Sequence, residues 1–138
     1  MNQIETILDR IGNTPLIKIQ NIDNQSKQRQ IYSKLEYFNP GGSVKDRSVM
    51  AMVQEGIKSG KLTKDKIILD STSGNAGIAY AMIGAVLGYE VMLCIPDNVS
   101  DERKKILNAF GAKLIYTDPL ESSDGAIKKA KELVQEDP

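Results

Sequence analysis

Three stretches of this chain combine residue types that can do chemistry. The first is NPGGSVKDR, residues 39–47. Two glycines and a serine lead into Lys45 at the point where a helix is expected to begin. Ser43 and Asp46 have the S-x-x-D spacing of a capping-box variant. Gly41 and Gly42 allow a tight turn or a close approach of backbone to ligand. A lysine in the first turn of a helix meets free N–H groups, and their field disfavours an ammonium. The neutral amine is a nucleophile suited to forming a Schiff base with an aldehyde. A solvent-facing lysine would feel little of that field, so the spacing alone leaves Lys45 as either a nucleophile or an ordinary surface residue. The stretch is not a G-x-x-x-x-G-K-[ST] phosphate loop, because Val44 rather than glycine precedes the lysine.

The second stretch is DSTSGNAG, residues 70–77. It follows a strand-like run and opens an apolar helix. Ser71, Thr72, Ser73 and Asn75 crowd hydroxyls, an amide and free backbone N–H groups around one point, which suits a carboxylate or a phosphate. The alternative is a helix N-terminus with nothing bound. The third stretch, PDNVSDERKK (96–105), reads as a helix capped by Ser100 with a solvated charged face.

Totals narrow the chemistry further. Lys plus Arg and Asp plus Glu both number 18, so no basic excess exists to bind nucleic acid or a membrane surface. Histidine is absent, which excludes a His base within this chain. Cys94 is the single cysteine, so neither an intrachain disulfide nor a Cys/His zinc site can form. It lies in an apolar run and reads as a small core residue in a reducing compartment. MNQIETILDRIGNTP carries acids early and lacks a long apolar core, so no signal peptide is expected. IAYAMIGAVLGYEVMLCIP (78–96) is interrupted by Gly84, Gly88 and Glu90 and reads as a buried helix followed by a buried strand. A cytoplasmic location follows as an expectation.

The elements that must position these loops show a regular rhythm. A short helix is expected over 3–11, strands over 15–20 and 30–36, and a polar surface loop over 21–29 between them. Helix and strand then alternate: helix 44–59, strand 66–70, helix 75–87, strand 90–96, helix 100–110, strand 113–117 and helix 122–137. Ile106, Leu107 and Phe110 are expected inward on the third of these helices, and Ile127, Leu133 and Val134 on the last. Gly60, Gly88 and Gly111 are expected to end their helices. Strands that are continuous apolar runs are buried on both faces. The fold class is therefore α/β, a three-layer parallel twisted sheet with helices on both faces. Ligands in such sheets bind beyond the carboxyl ends of the strands, where the loops lie.

IGNTPLIKI (11–19), NPGGSVKDR (39–47), TSGNAGIAYA (72–81) and PDNVSDERKKILNAFGAKLIYTDP (96–119) together resemble the cysteine synthase family. That family is part of the pyridoxal-phosphate enzymes of the tryptophan-synthase-β fold type. The resemblance covers nearly the whole chain, as the N-terminal half of that fold, and residues 1–138 are expected to form its N-terminal domain. It implies pyridoxal 5'-phosphate as cofactor. Lys45 would hold it covalently and then act as acid and base at the substrate's α-carbon. Asn75 would bond the cofactor's ring hydroxyl oxygen. Thr72, Ser73 and the backbone from Gly74 through Asn75 to Ala76 would grip the α-carboxylate of an amino-acid substrate. The implied reaction is β-replacement, in which O-acetylserine loses acetate and sulfide adds to make cysteine.

Two departures from the family's pattern stand out. Ala76 occupies a position where the family usually has threonine, so the carboxylate site lacks a hydroxyl. The family's chains are also longer, and their second half carries the glycine-rich cup for the cofactor phosphate, which has no counterpart here. Weak cofactor binding and little turnover are expected of this chain alone. An exposed apolar face and self-association are expected too, with a homodimer for the full-length form. Cystathionine β-synthase, or another enzyme of β-elimination or replacement, is the nearest alternative, and a serine or threonine dehydratase is a more distant one. A catalytically inactive fragment or peptide-binding module is the alternative of another class. The resemblance also implies that the C-terminal tail of serine acetyltransferase is a conceivable partner for the carboxylate loop.

Overall fold

The computed structural model describes residues 6–20 and 29–136. The chain opens on a 3-10 turn, Ile7–Arg10, where a short helix was expected. Thr6 caps it in both directions, its Oγ1 accepting from Leu8 N while Asp9 Oδ2 accepts from Thr6 N. Gly12 adopts the left-handed φ of +84° and ends the turn, so the segment cannot grow into a full helix. Residues 3–5 of the expected helix lie outside the described residues, as does the expected loop apart from Arg29.

Strands β1 (Leu16–Ile19) and β2 (Ile31–Lys34) pair antiparallel as a two-stranded ribbon of their own. Leu16 and Tyr32 on the ribbon are more than half exposed. The remaining strands, β3 (Ile68–Asp70), β4 (Val91–Pro96) and β5 (Lys113–Thr117), form a parallel sheet in that order. Helices α1 (Lys45–Lys58), α2 (Asn75–Leu87), α3 (Asp101–Ala109) and α4 (Ser122–Glu136) complete the layers. The expected α/β architecture is therefore present, with the ribbon set apart from the sheet.

Burial explains the order. β4 is the central strand, and Leu93, Cys94 and Ile95 are inaccessible to solvent. α2 and α4 both pack on β4. β5 is an edge strand, and its Lys113 and Tyr116 are exposed. α2 joins Ala79, Met82 and Ile83 to that core, while Val49 and Val53 of α1 pack on α2. Burial of each such Val, Ile or Met side chain contributes about 1.5–3 kcal/mol. Gly84 lets α2 approach β4: a Cβ there would collide with Val91 and stand 3.2 Å from Tyr89 O. No helix among the described residues is long and apolar enough to cross a membrane.

Two expected helix faces are different in the structure. On α3 only Leu107 is buried, while Ile106 and Phe110 are exposed. A nine-residue helix buries a narrow stripe, and Leu107 takes it. On α4 the buried residues are Gly125 and Ala126. A Cβ on Gly125 would stand 2.7 Å from Glu121 Cβ in the preceding turn, so only glycine fits there; Ile127 and Val134 lie outward and Leu133 is half-buried.

Candidate functional site

The loop before α1 is built by contacts with distant residues. Gly42 N donates to Asn39 O at 2.8 Å and closes a turn in which Gly42 has φ +82°. Asn39 is buried and works in two directions. Its Oδ1 accepts from Gly12 N at 2.8 Å, and its Nδ2 donates to Glu36 O and Oε2, each at 2.8 Å. Arg47 donates from Nη2 to Gly12 O, Thr14 Oγ1 and Glu36 Oε1. Thr14 in turn donates to Glu36 Oε1 at 3.1 Å, and its carbonyl accepts from Lys34 Nζ. The IGNT and NPGGSVKDR stretches are thus two sides of one polar cluster. Glu36 is held at a pKa of about 2, chiefly by the Arg47 guanidinium, with Asn39 and Thr14 adding to the effect.

Lys45 is the first residue of α1. Its N–H donates to Ser43 Oγ at 3.1 Å, which fixes the backbone beneath it. The side chain is exposed, and its amine has no hydrogen-bond or ion-pair partner among the described residues. The expected capping box between Ser43 and Asp46 does not form. Asp46 is fully buried, and its Oδ2 accepts from Gly41 N at 2.5 Å instead. Turning inward lets the carboxylate serve the tight glycine turn, which has no side chain of its own. Asp46 Oδ1 is buried with no hydrogen-bond partner among the described residues. Burial pushes the Asp46 carboxyl above its ordinary pKa, and the Gly41 N–H opposes that rise.

The second loop leaves β3 at Asp70, whose Oδ1 accepts from Ser71 N at 2.6 Å. Thr72 Oγ1 lies 3.4 Å from Gly74 N. α2 starts at Asn75 with Gly74 as its cap residue and no side chain on the helix end. The first helical bond runs from Ile78 N to Gly74 O at 3.4 Å. The N–H groups of Asn75, Ala76 and Gly77 precede it and have no acceptor among the described residues, as the first turn of a helix requires. Together they make a positive pole flanked by the half-buried hydroxyls of Thr72 and Ser73, with Asn75 exposed at its edge. Gly77 is packed tightly, since a Cβ there would stand 2.6 Å from Thr72 O.

The structure brings Thr72, Ser73, Gly74, Asn75 and Ala76 together on this one loop. No hydrogen bond or ion pair joins Lys45 to it among the described residues. The link is the packing of α1 on α2, where Tyr80 Oη donates to Met52 Sδ at 3.7 Å.

Two contributors are not apparent from the sequence. Arg103 of α3 donates from Nη1 to Ser73 O at 2.7 Å, although the charges of this helix read as a solvated face. Arg47 sits inside KDR but shows no sign of its four acceptors. Both contacts span tens of residues, beyond the reach of local periodicity. Ser100 makes no side-chain cap on α3, contrary to expectation, and Lys104 Nζ instead holds Asp97 Oδ1 at 3.1 Å across the helix entry.

Residues 7–138 match the family described as pyridoxal-phosphate dependent enzyme. The chain is 53% identical over 136 residues to a cysteine synthase of Aquifex aeolicus, covering 97% of this chain and 42% of that protein. Its structure is similar to that of a cysteine synthase from Entamoeba histolytica, with a TM-score of 0.95 at 41% identity, covering 99% of this chain and 41% of the other. It is also similar to an O-acetylserine dependent cystathionine β-synthase from Helicobacter pylori, with a TM-score of 0.88 at 42% identity, covering all of this chain and 45% of the other. The chain therefore spans about two-fifths of the length of the curated relatives it matches.

Proposed function

The chain belongs to the family of pyridoxal-phosphate dependent enzymes, and from that premise we propose that its residues serve a β-replacement that makes L-cysteine from O-acetylserine and sulfide. The single observation that carries this reading is Lys45: an exposed primary amine with no partner among the described residues, held at the start of α1 by a backbone clamp. The donor set suits the cofactor. An amine without an acidic partner is free to bond an aldehyde. Beside it, a Cβ on Gly42 would meet nothing within 4 Å, so the approach is open.

In this reading Lys45 would hold the cofactor covalently, and Asn75 would donate its side-chain amide to the ring hydroxyl oxygen. When bound, the cofactor supplies an electron sink for the substrate's α-carbon. The Lys45 amine, freed once the substrate's own amine has displaced it, would take the α-proton and return it after the nucleophile has added. One lysine performs the proton transfers that a histidine would otherwise perform. Thr72 and Ser73 offer hydroxyls to the amino acid's carboxylate, and the Gly74, Asn75 and Ala76 backbone offers N–H groups. Residues 1–138 then act as the domain that carries the lysine and the carboxylate loop, with the cofactor phosphate held by residues outside it. A homodimer, a cytoplasmic setting and capture of the C-terminal carboxylate of serine acetyltransferase in the same loop belong to this proposal.

A second reading has its own support in the similarity to the Helicobacter pylori cystathionine β-synthase. Homocysteine would then replace sulfide as nucleophile, and a competition assay separates the two. A peptide-binding role without catalysis would persist in Lys45→Ala.

The test is covalent trapping. The protein is mixed with pyridoxal phosphate, reduced with borohydride and mapped by mass, with Lys45→Ala as control. Labelling of Lys45 far above the other lysines is expected. Even labelling of a folded chain overturns the assignment of Lys45.

A further inference from the structure

This inference rests on the carboxylate-binding reading of residues 72–76. Arg103 reaches from α3 to a loop thirty residues earlier and donates from Nη1 to Ser73 O at 2.7 Å. The same nitrogen stands 3.7 Å from where a Cβ on Gly74 would be. No acidic side chain is paired with this guanidinium among the described residues. Its hydrogen bond is therefore a charge-assisted contact to a backbone carbonyl at the mouth of the loop.

The orientation of that carbonyl matters. The peptide unit joining Ser73 to Gly74 is trans and planar, so its C=O and N–H point in opposite directions. With the carbonyl held by Arg103, the N–H of Gly74 is turned the other way, toward Thr72 Oγ1 at 3.4 Å. Gly74 has no Cβ, so its backbone meets little steric resistance to rotation of this peptide. A rotated peptide would bring the carbonyl oxygen to the side of the loop that the Gly74 N–H now occupies. The negative end of that dipole would replace the N–H that Thr72 Oγ1 now accepts, and would oppose a carboxylate bound beside that hydroxyl.

We propose that Arg103 is a positioning residue that holds the Ser73 carbonyl out of the anion site and so makes the loop select a carboxylate over an uncharged group. Arg103 acts through the Ser73–Gly74 peptide and leaves the direct contacts to the loop's own donors. Sequence reading alone assigns Arg103 to solvent.

The test compares L-serine with L-serinamide as probes of the chain, following the amide resonances of residues 74–77 by NMR. Wild type, Arg103→Met, Arg103→Ala and Arg103→Lys are titrated, and thermal melts are recorded alongside. In wild type L-serine is expected to move these resonances and to bind more tightly than L-serinamide. Arg103→Met and Arg103→Ala are expected to lose that preference by roughly tenfold or more, the loss of a hydrogen bond to a charged group. Arg103→Lys, which keeps a charged donor, is expected to recover part of it. The methionine variant keeps an apolar stem and the alanine variant keeps helix propensity, so either folded variant decides the matter. An unchanged preference in a folded Met or Ala variant overturns the role of Arg103 and leaves the carboxylate reading standing. A wild-type chain whose residues 74–77 do not respond to L-serine overturns the carboxylate reading itself, and this role with it.

Discussion

Arg47 meets Glu36 at two points, Nε to Oε2 and Nη2 to Oε1, both at 2.9 Å. The pair ties the first turn of α1 to the segment that follows β2. The same guanidinium also holds Gly12 O, so it connects three separate segments around the Lys45 turn. A two-point guanidinium–carboxylate pair fixes geometry that a single-point cation cannot reproduce.

Arg47→Lys should therefore lower the melting temperature by several degrees and loosen the turn, although charge is conserved. It should also reduce cofactor trapping at Lys45, because the turn that presents the amine loses its anchor. Differential scanning calorimetry with trapping yield checks both. A lysine variant that melts and labels like wild type would show that charge alone suffices at this position.

Glu36 and Asp46 should give opposite acid responses. Glu36 has a folded pKa of about 2 against an ordinary 4.5, with the Arg47 contact as the main cause. The folded chain releases this proton more readily than the unfolded chain. Its contribution is complete above about pH 4.5 and is lost as pH falls toward 2. Asp46 lies above its ordinary 3.8 because it is buried. The folded chain holds that proton more tightly, so stability from Asp46 declines as pH rises from 3.8 through the higher folded value. Glu36→Gln should flatten the acid-side loss, and Asp46→Asn should remove the decline that begins at 3.8. Melting curves across pH 2–7 distinguish them, and an acid limb unchanged in Glu36→Gln would count against the Arg47 linkage.

Gly41 and Gly42 should differ sharply in their tolerance of a methyl group. A Cβ on Gly41 would stand 2.5 Å from Asp46 Oδ1 and 2.9 Å from Oδ2. Gly41→Ala should cost about 1–3 kcal/mol by overpacking. Gly42 has open space, so Gly42→Ala should cost about 1–2 kcal/mol through its left-handed backbone alone. Only the Gly41 variant should disturb the Asp46 contact and lower Lys45 trapping. Urea denaturation and the trapping assay together check this, and equal trapping in both variants would refute it.

Ala76 lies in the first turn of α2, half-buried beside the free N–H groups. Ala76→Thr should add a hydroxyl to the carboxylate site and tighten L-serine binding by roughly tenfold. Isothermal titration calorimetry of the two chains measures it. Unchanged affinity would mean that the new hydroxyl points away from the ligand.

The local pattern of the chain determined a great deal. Apolar runs bounded by glycine marked α2 and β4 to within a residue, because hydrophobic periodicity and left-handed glycine stops such as Gly88 act over a few residues. The motif around Lys45 and the hydroxyl-rich loop at 72–76 were visible for the same reason. Tertiary structure decided what those local signals cannot carry. It turned Asp46 inward onto Gly41 N rather than back onto Ser43, because the Gly41 N–H at the tight turn needs an acceptor. It buried Gly125 and Ala126 of α4 and left Ile127 and Val134 exposed, because the turn at Glu121 closes on Gly125 and leaves no room for a side chain. It also set Arg47 against Gly12 and Arg103 against Ser73, contacts 35 and 30 residues apart. Such pairs arise only when the sheet and its helices bring distant segments together, so their physical cause lies in packing rather than in sequence spacing.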